Sequence, residues 1–126
     1  GGFDECFSPY IFEDTDYCFR ARRAGFKIMY TGKTKIIHHE GFTIKSDPAS
    51  VVVGLSYRNH LRLLLLNFNH KRLFRTLPII FAQDLVFRLK KGTPAILFRA
   101  WLDVLKALPD ILSKRRTDGG RWPLLD

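Results

Sequence analysis

Between Pro94 and Arg116 the charges fall on a period that leaves the chain little choice of structure. Arg99, Asp103, Lys106, Asp110 and Lys114 recur at steps of four, three, four and four. A turn of about 3.6 residues gathers them on one stripe. Apolar side chains, among them Leu97, Trp101, Val104, Leu108 and Ile111, fill the other faces. Pro109 either kinks this helix or starts a new turn. Helical patterning reaches back to about Ser50. Residues 50–68 predict one helix and Asn67-Phe68-Asn69-His70 a break. Residues 71–91 predict a second helix, bent at Pro78 and ended by Gly92. Thr93 is placed as an N-cap, with Pro94 at the first helical position.

The first fifty residues read differently. Residues 1–10 form a loop punctuated by Gly1, Gly2 and Pro9. Residues 14–24 predict a helix with Asp14 or Thr15 as its cap. Acidic residues crowd its first turn, Arg20, Arg22 and Arg23 its last, and Gly25 follows. Its inner face is expected to hold Tyr17, Cys18, Ala21 and Ala24. Phe26-Lys27-Ile28-Met29-Tyr30 alternates and predicts a strand, and residues 34–39 a second one after the turn at Thr31-Gly32-Lys33. Residues 40–50 form a polar loop. The expected fold class is therefore α/β: short strands plus a helix over residues 1–49, a basic amphipathic helical region over 50–116, and a tail over 117–126.

Charge divides the chain in the same place. Residues 1–56 hold seven basic and seven acidic side chains, whereas residues 57–116 hold thirteen basic ones against Asp84, Asp103 and Asp110, a net +10. Such a surface calls for an anionic partner: nucleic acid, anionic lipid or a phosphorylated substrate. Large apolar faces on the same helices, with no recognised nucleic-acid motif, favour lying in a lipid interface over binding nucleic acid. No apolar run approaches the roughly 18–20 residues that span a bilayer. Cys6 and Cys18 have neither metal-ligand nor framework spacing and read as reduced thiols in a cytosolic setting.

Two polar constellations are dense enough for chemistry. Glu13-Asp14-Thr15-Asp16, followed by Arg20, sets three carboxylates within four residues. Their mutual repulsion needs a helix N-terminus, a cation or a metal to offset it. A charged, capped first turn explains the run without any function. His38-His39-Glu40-Gly41 is the second. Neighbours on a strand face opposite ways, so one histidine at most serves a given site, and a structural role explains the pair equally simply.

In order and spacing, four segments together resemble family 2 glycosyltransferases, and most closely the rhamnosyltransferase-like branch. They are Gly1-Gly2-Phe3-Asp4-Glu5, Phe12-Glu13-Asp14-Thr15-Asp16-Tyr17-Cys18-Phe19-Arg20, Ala24-Gly25-Phe26-Lys27-Ile28 and His38-His39-Glu40-Gly41-Phe42-Thr43. The resemblance covers about the first 45 residues strongly and the remainder loosely. It implies a GT-A fold, a nucleotide-sugar donor, a saccharide or lipid-linked saccharide acceptor, and a divalent metal, Mg or Mn. It implies Asp14 as general base with Glu13 beside it, and Asp4 and Glu5 as acceptor contacts. It further implies Asp16 and Arg20 as a supporting ion pair, and His38 rather than His39 at the metal or diphosphate. The nucleotide-binding strands and DxD-type metal motif of the family are not in this sequence. The chain is thus expected to be part of a longer protein, inactive alone, whose unpaired strand edges favour self-association. Its expected place is the cytoplasmic face of the membrane.

A second class of function remains open: a non-catalytic, basic amphipathic module that binds anionic membrane or a protein partner, with the Glu-Asp run only a helix start. An upstream α/β segment bearing a DxD motif would decide for the enzyme.

Overall fold

The computed structural model describes residues 2–35, 37 and 47–119. Among these, regular structure is helical. A 3-10 turn at Glu5–Phe7 precedes five α-helices: α1 (Glu13–Arg23), α2 (Ala49–Asn67), α3 (His70–Lys90), α4 (Pro94–Lys106) and α5 (Leu108–Gly119). No strand or sheet forms among the described residues, which corrects the α/β expectation. Residues 26–30 alternate but pair with no strand among the described residues. Phe26, Ile28 and Met29 are exposed and Tyr30 is 95% exposed. A period of two signals a strand only where a neighbour supplies the ladder and covers one face. The described part of the second expected strand, Thr34, Lys35 and Ile37, is likewise irregular; residues 36, 38 and 39 lie outside the described residues. The edges expected to drive self-association are not formed over 26–35.

The helices end where the sequence says they must. After α1, Gly25 takes a left-handed φ of 88°; its N–H donates to the Arg22 carbonyl and that of Phe26 to the Ala21 carbonyl, each at 3.0 Å. After α3, Gly92 repeats this at φ 67°, with N–H bonds from Gly92 to Leu89 and from Thr93 to Arg88. Both are Schellman ends, open to glycine because it carries no Cβ. Asn69 caps α3, accepting from the Arg72 N–H at 2.9 Å. Thr93 holds the cap position of α4 without a side-chain capping bond, and Pro94 follows at the first turn. Pro109 starts a new helix: α4 closes on Ala107, and α5 runs past the expected start of the tail at residue 117. Residues 120–126 lie outside the described residues.

The long Leu-rich α2 is the central element, packed against α1, α4 and α5, while α3 lies chiefly on α4. Phe7, Leu61, Leu63, Leu66, Val104 and Ile111 form the main core; Leu64, Phe68 and Leu73 form a second cluster where α2 meets α3. Trp101, expected on an outward apolar face, is half-buried and meets Phe81 edge-on at 5.3 Å between α3 and α4.

Candidate functional site

The Glu13-Asp14 run begins α1, and its approach is unusual. Ile11 and Phe12 both have positive φ, 76° and 75°. Each such residue costs about 1–2 kcal/mol, and a β-branched one is rare there. Phe12, not Asp14 or Thr15, is the residue before the helix, and it makes no side-chain cap. What holds the turn comes from α2. The fully buried Asn59 places its amide nitrogen 2.9, 2.9 and 3.0 Å from the carbonyls of Phe7, Tyr10 and Ile11. Its carbonyl oxygen accepts from Arg58 Nε at 2.9 Å. Arg58 also donates to the Ser8 carbonyl at 2.7 Å, and Arg62 to the Cys6 carbonyl at 2.6 Å. Phe12 stacks on His60 at 5.3 Å. One face of α2 thus supplies the donors that an irregular, part-buried backbone lacks.

The inner face of α1 carries Asp16, Phe19 and Arg23, not the Tyr17, Cys18, Ala21 and Ala24 face expected. Asp16, 1% exposed, accepts from Arg20 Nε at 2.7 Å and from Asn67 Nδ2 at 2.9 Å. Arg20 continues to the Gly2 carbonyl at 2.9 Å. One α-helical turn separates Asp16 from Arg20, so the pair expected between them has its natural spacing. Arg23 is buried and reaches the Leu66 carbonyl and Asn67 Oδ1. From α5, the buried Arg115 donates to the carbonyls of Leu65 and Phe68. Two guanidiniums from other helices therefore cover the C-terminal carbonyls of α2, where the helix dipole is negative. Burial, then the neighbouring Arg23, draws the Arg115 pKa below its ordinary value.

The carboxylates of the site thus part company. Asp4, Asp16 and Arg20 meet Lys114, Arg23 and Asn67 around a crevice of about 10 Å³. That is room for at most about one water, so it is a packed junction and not a ligand cleft. Asp4 caps the 3-10 turn through the Cys6 N–H at 3.0 Å and pairs with Lys114 Nζ at 3.0 Å. Burial alone would raise its pKa, but the Cys6 N–H and Lys114 together hold it below the usual value. Glu5 is exposed. Asp14 is exposed as well, accepting from the N–H and hydroxyl of the adjacent Thr15. Glu13 is half-buried, and its Oε2 has no hydrogen-bond partner among the described residues. Asp14 is therefore the one carboxylate of the run presented outward from the start of α1.

His38, the expected metal ligand, and His39 lie outside the described residues. Among the described residues no group of three or more His, Cys, Asp or Glu side chains converges as a metal site would. The described side chains thus do not by themselves fit a divalent cation.

The sequence reading missed the α2 donors. Their signal is visible in retrospect: Asn59 and Asn67 interrupt a Leu-rich helix on one broad side, and an amide there needs partners. It also missed a cleft of about 420 Å³ between α2 and α4, walled by Val51, Leu55 and Ile96 and edged by Arg58, Arg99 and Asp103. Gly54 also lines it, and a Cβ added there would meet Ile96 Cγ2 at an ordinary van der Waals distance of 3.8 Å. No family model, no curated protein and no solved structure matches this chain.

Proposed function

We propose that this chain is the acceptor-side part of an inverting glycosyltransferase, which moves a sugar from a nucleotide-sugar donor to a saccharide or lipid-linked saccharide. The observation that carries the reading is the pinned turn before Glu13-Asp14. Two consecutive left-handed residues are held by a buried amide, and Asp14 is exposed just beyond them. Backbone strain of this kind persists where the surroundings over-determine it, and it gathers at functional sites.

In the proposed reaction Asp14 accepts the proton of the acceptor hydroxyl as its oxygen bonds to the anomeric carbon. The bond to the diphosphate breaks on the opposite face, and the leaving group keeps the electron pair. Glu13 flanks the site, and Asp16 with Arg20 fixes the helix that carries both. Asp4 is engaged with Lys114, so Glu5 is the freer acceptor contact of the two. The divalent metal implied by the resemblance would stabilise charge on the leaving diphosphate. His38 is the residue of this chain assigned to it.

The test is transfer from radiolabelled nucleotide sugars by the full-length protein, with the configuration of the product determined. Transfer with inversion is expected. Transfer with retention, or none across donors that demonstrably bind, would contradict the proposal.

A further inference from the structure

We infer that the outward face of α3 lies flat on an anionic lipid surface. This stands independently of the glycosyl-transfer reading, because it rests on other residues. Leu73 is the only buried residue of this long helix. Lys71, Arg75, Pro78, Ala82, Val86 and Leu89 recur at steps of four, three, four, four and three, which places them on one outward line, and all six are exposed. Phe74, 83% exposed, and Ile79, 57% exposed, flank that line. From Phe74 to Leu89 the apolar stretch runs about 22 Å along the axis.

Charge decides what covers this face. Lys71 and Arg75 stand at one end, Lys90 and Lys91 at the other, all exposed. The single acidic residue of α3, Asp84, is half-buried and turned inward, near enough to His60 and Arg88 for their charges to act on it. A second copy of the same face would set cations against cations in either orientation, with no carboxylate to offset them. Nucleic acid would meet phenylalanine and isoleucine at the centre of its footprint. An interface of anionic headgroups over acyl chains matches both parts: cations at the headgroups and the apolar middle below them. No helix among the described residues is long and apolar enough to cross a membrane, so the contact is parallel to the surface. The helix α4 is the poorer candidate. It sets Asp103 among its exposed residues and turns Trp101 inward.

The experiment is co-sedimentation of the full chain with vesicles of phosphatidylcholine alone and of equimolar phosphatidylcholine and phosphatidylglycerol, across a salt series. Binding to the anionic vesicles is expected, weakened but not abolished by salt. Lys71→Gln, Arg75→Gln and Lys90→Gln together should weaken it about a hundredfold at low salt, since each cation contributes about fivefold. Phe74→Glu with Ile79→Glu should remove the salt-resistant part. Both positions are exposed, and unchanged helical circular dichroism checks the fold. Leu105→Glu, on the exposed side of α4, should leave binding intact. Equal binding to neutral vesicles, retention by Phe74→Glu/Ile79→Glu, or loss by Leu105→Glu would each overturn the inference. So would binding to duplex DNA in place of vesicles, or a dimer abolished by Phe74→Glu.

Discussion

Residues 2–24 and the helix α3 invert each other's chemistry. The first segment turns Asp16 and Arg23 inward and is held by amide and guanidinium donors from α2 and by the Lys114 ammonium of α5. The second turns Phe74, Ile79, Val86 and Leu89 outward and is held by little more than Leu73 and a half-buried fringe. Directional bonds locate a backbone to within a few tenths of an ångström and charge heavily for a lost partner. Exposed apolar surface locates nothing in the isolated chain, but it gives a partner something to cover. One region fixes a geometry, and the other leaves an apolar face uncovered.

The largest expected effect falls on the clamp. Asn59→Ala leaves the carbonyls of Phe7, Tyr10 and Ile11 without their donor in a part-buried site. It should cost about 3 kcal/mol, read as a lower urea midpoint. A change below about 0.5 kcal/mol would mean that the amide is not what pins the turn. Asp16→Asn comes next, at about 2 kcal/mol. It removes one member of a pair whose aspartate is buried, with the figure reduced because Arg20 is a quarter exposed and partly screened. Phe74→Ser should change stability by less than about 0.5 kcal/mol despite deleting a large aromatic ring, because that ring is exposed. A large loss there would place α3's outer face inside the fold and erase the contrast.

Two groups near the clamp titrate in ways that sharpen the comparison. Burial lowers the His60 pKa from its ordinary 6.5, with Asp84 opposing. A base whose folded pKa is depressed contributes its full stability above the unfolded value and loses it as pH falls through that value towards the folded one. Thermal stability should therefore decline as pH drops below about 6.5, and the slope should shrink in His60→Gln. An unchanged slope would assign the titration elsewhere. Burial, followed by the nearby Asp4 charge, pushes the Cys6 thiol up to about 12. It should stay protonated at neutral pH and react far more slowly with iodoacetamide than an unfolded control; equal rates would show that the 3-10 turn is open in solution.

How much of this was legible in the sequence follows the range of each signal. Gly25 and Gly92 end their helices because only the local backbone is involved, and Asp16 finds Arg20 one turn away for the same reason. Pro109 marks the boundary between α4 and α5. The strand expectation at 26–30 failed because a period of two says nothing about whether a partner exists. The inner face of α1 was misread because apolar positions were assumed to face inward, while the partner surface on α2 offers Asn67 and bare carbonyls. The charge count was correct but its location was not. Arg58, Arg62, Arg88, Lys114 and Arg115, five of the thirteen basic residues behind the +10, are bound to this chain's own oxygens. Lys71, Arg75, Lys90 and Lys91, at the two ends of α3, are exposed. For the candidate site, the Glu13-Asp14 run was evident, whereas the strained approach to it was not. A left-handed Ile-Phe pair has no composition signal, and its chief support, Asn59, lies forty-eight residues away from Ile11.

In the proposed reaction the clamped turn presents Asp14 as the base. The most direct measurement is the turnover of Asp14→Asn in the full-length protein, at saturating nucleotide-sugar donor, beside a donor-binding assay. A loss of about 10²–10⁴-fold in turnover is expected, with donor affinity essentially unchanged. Wild-type turnover in Asp14→Asn would contradict it.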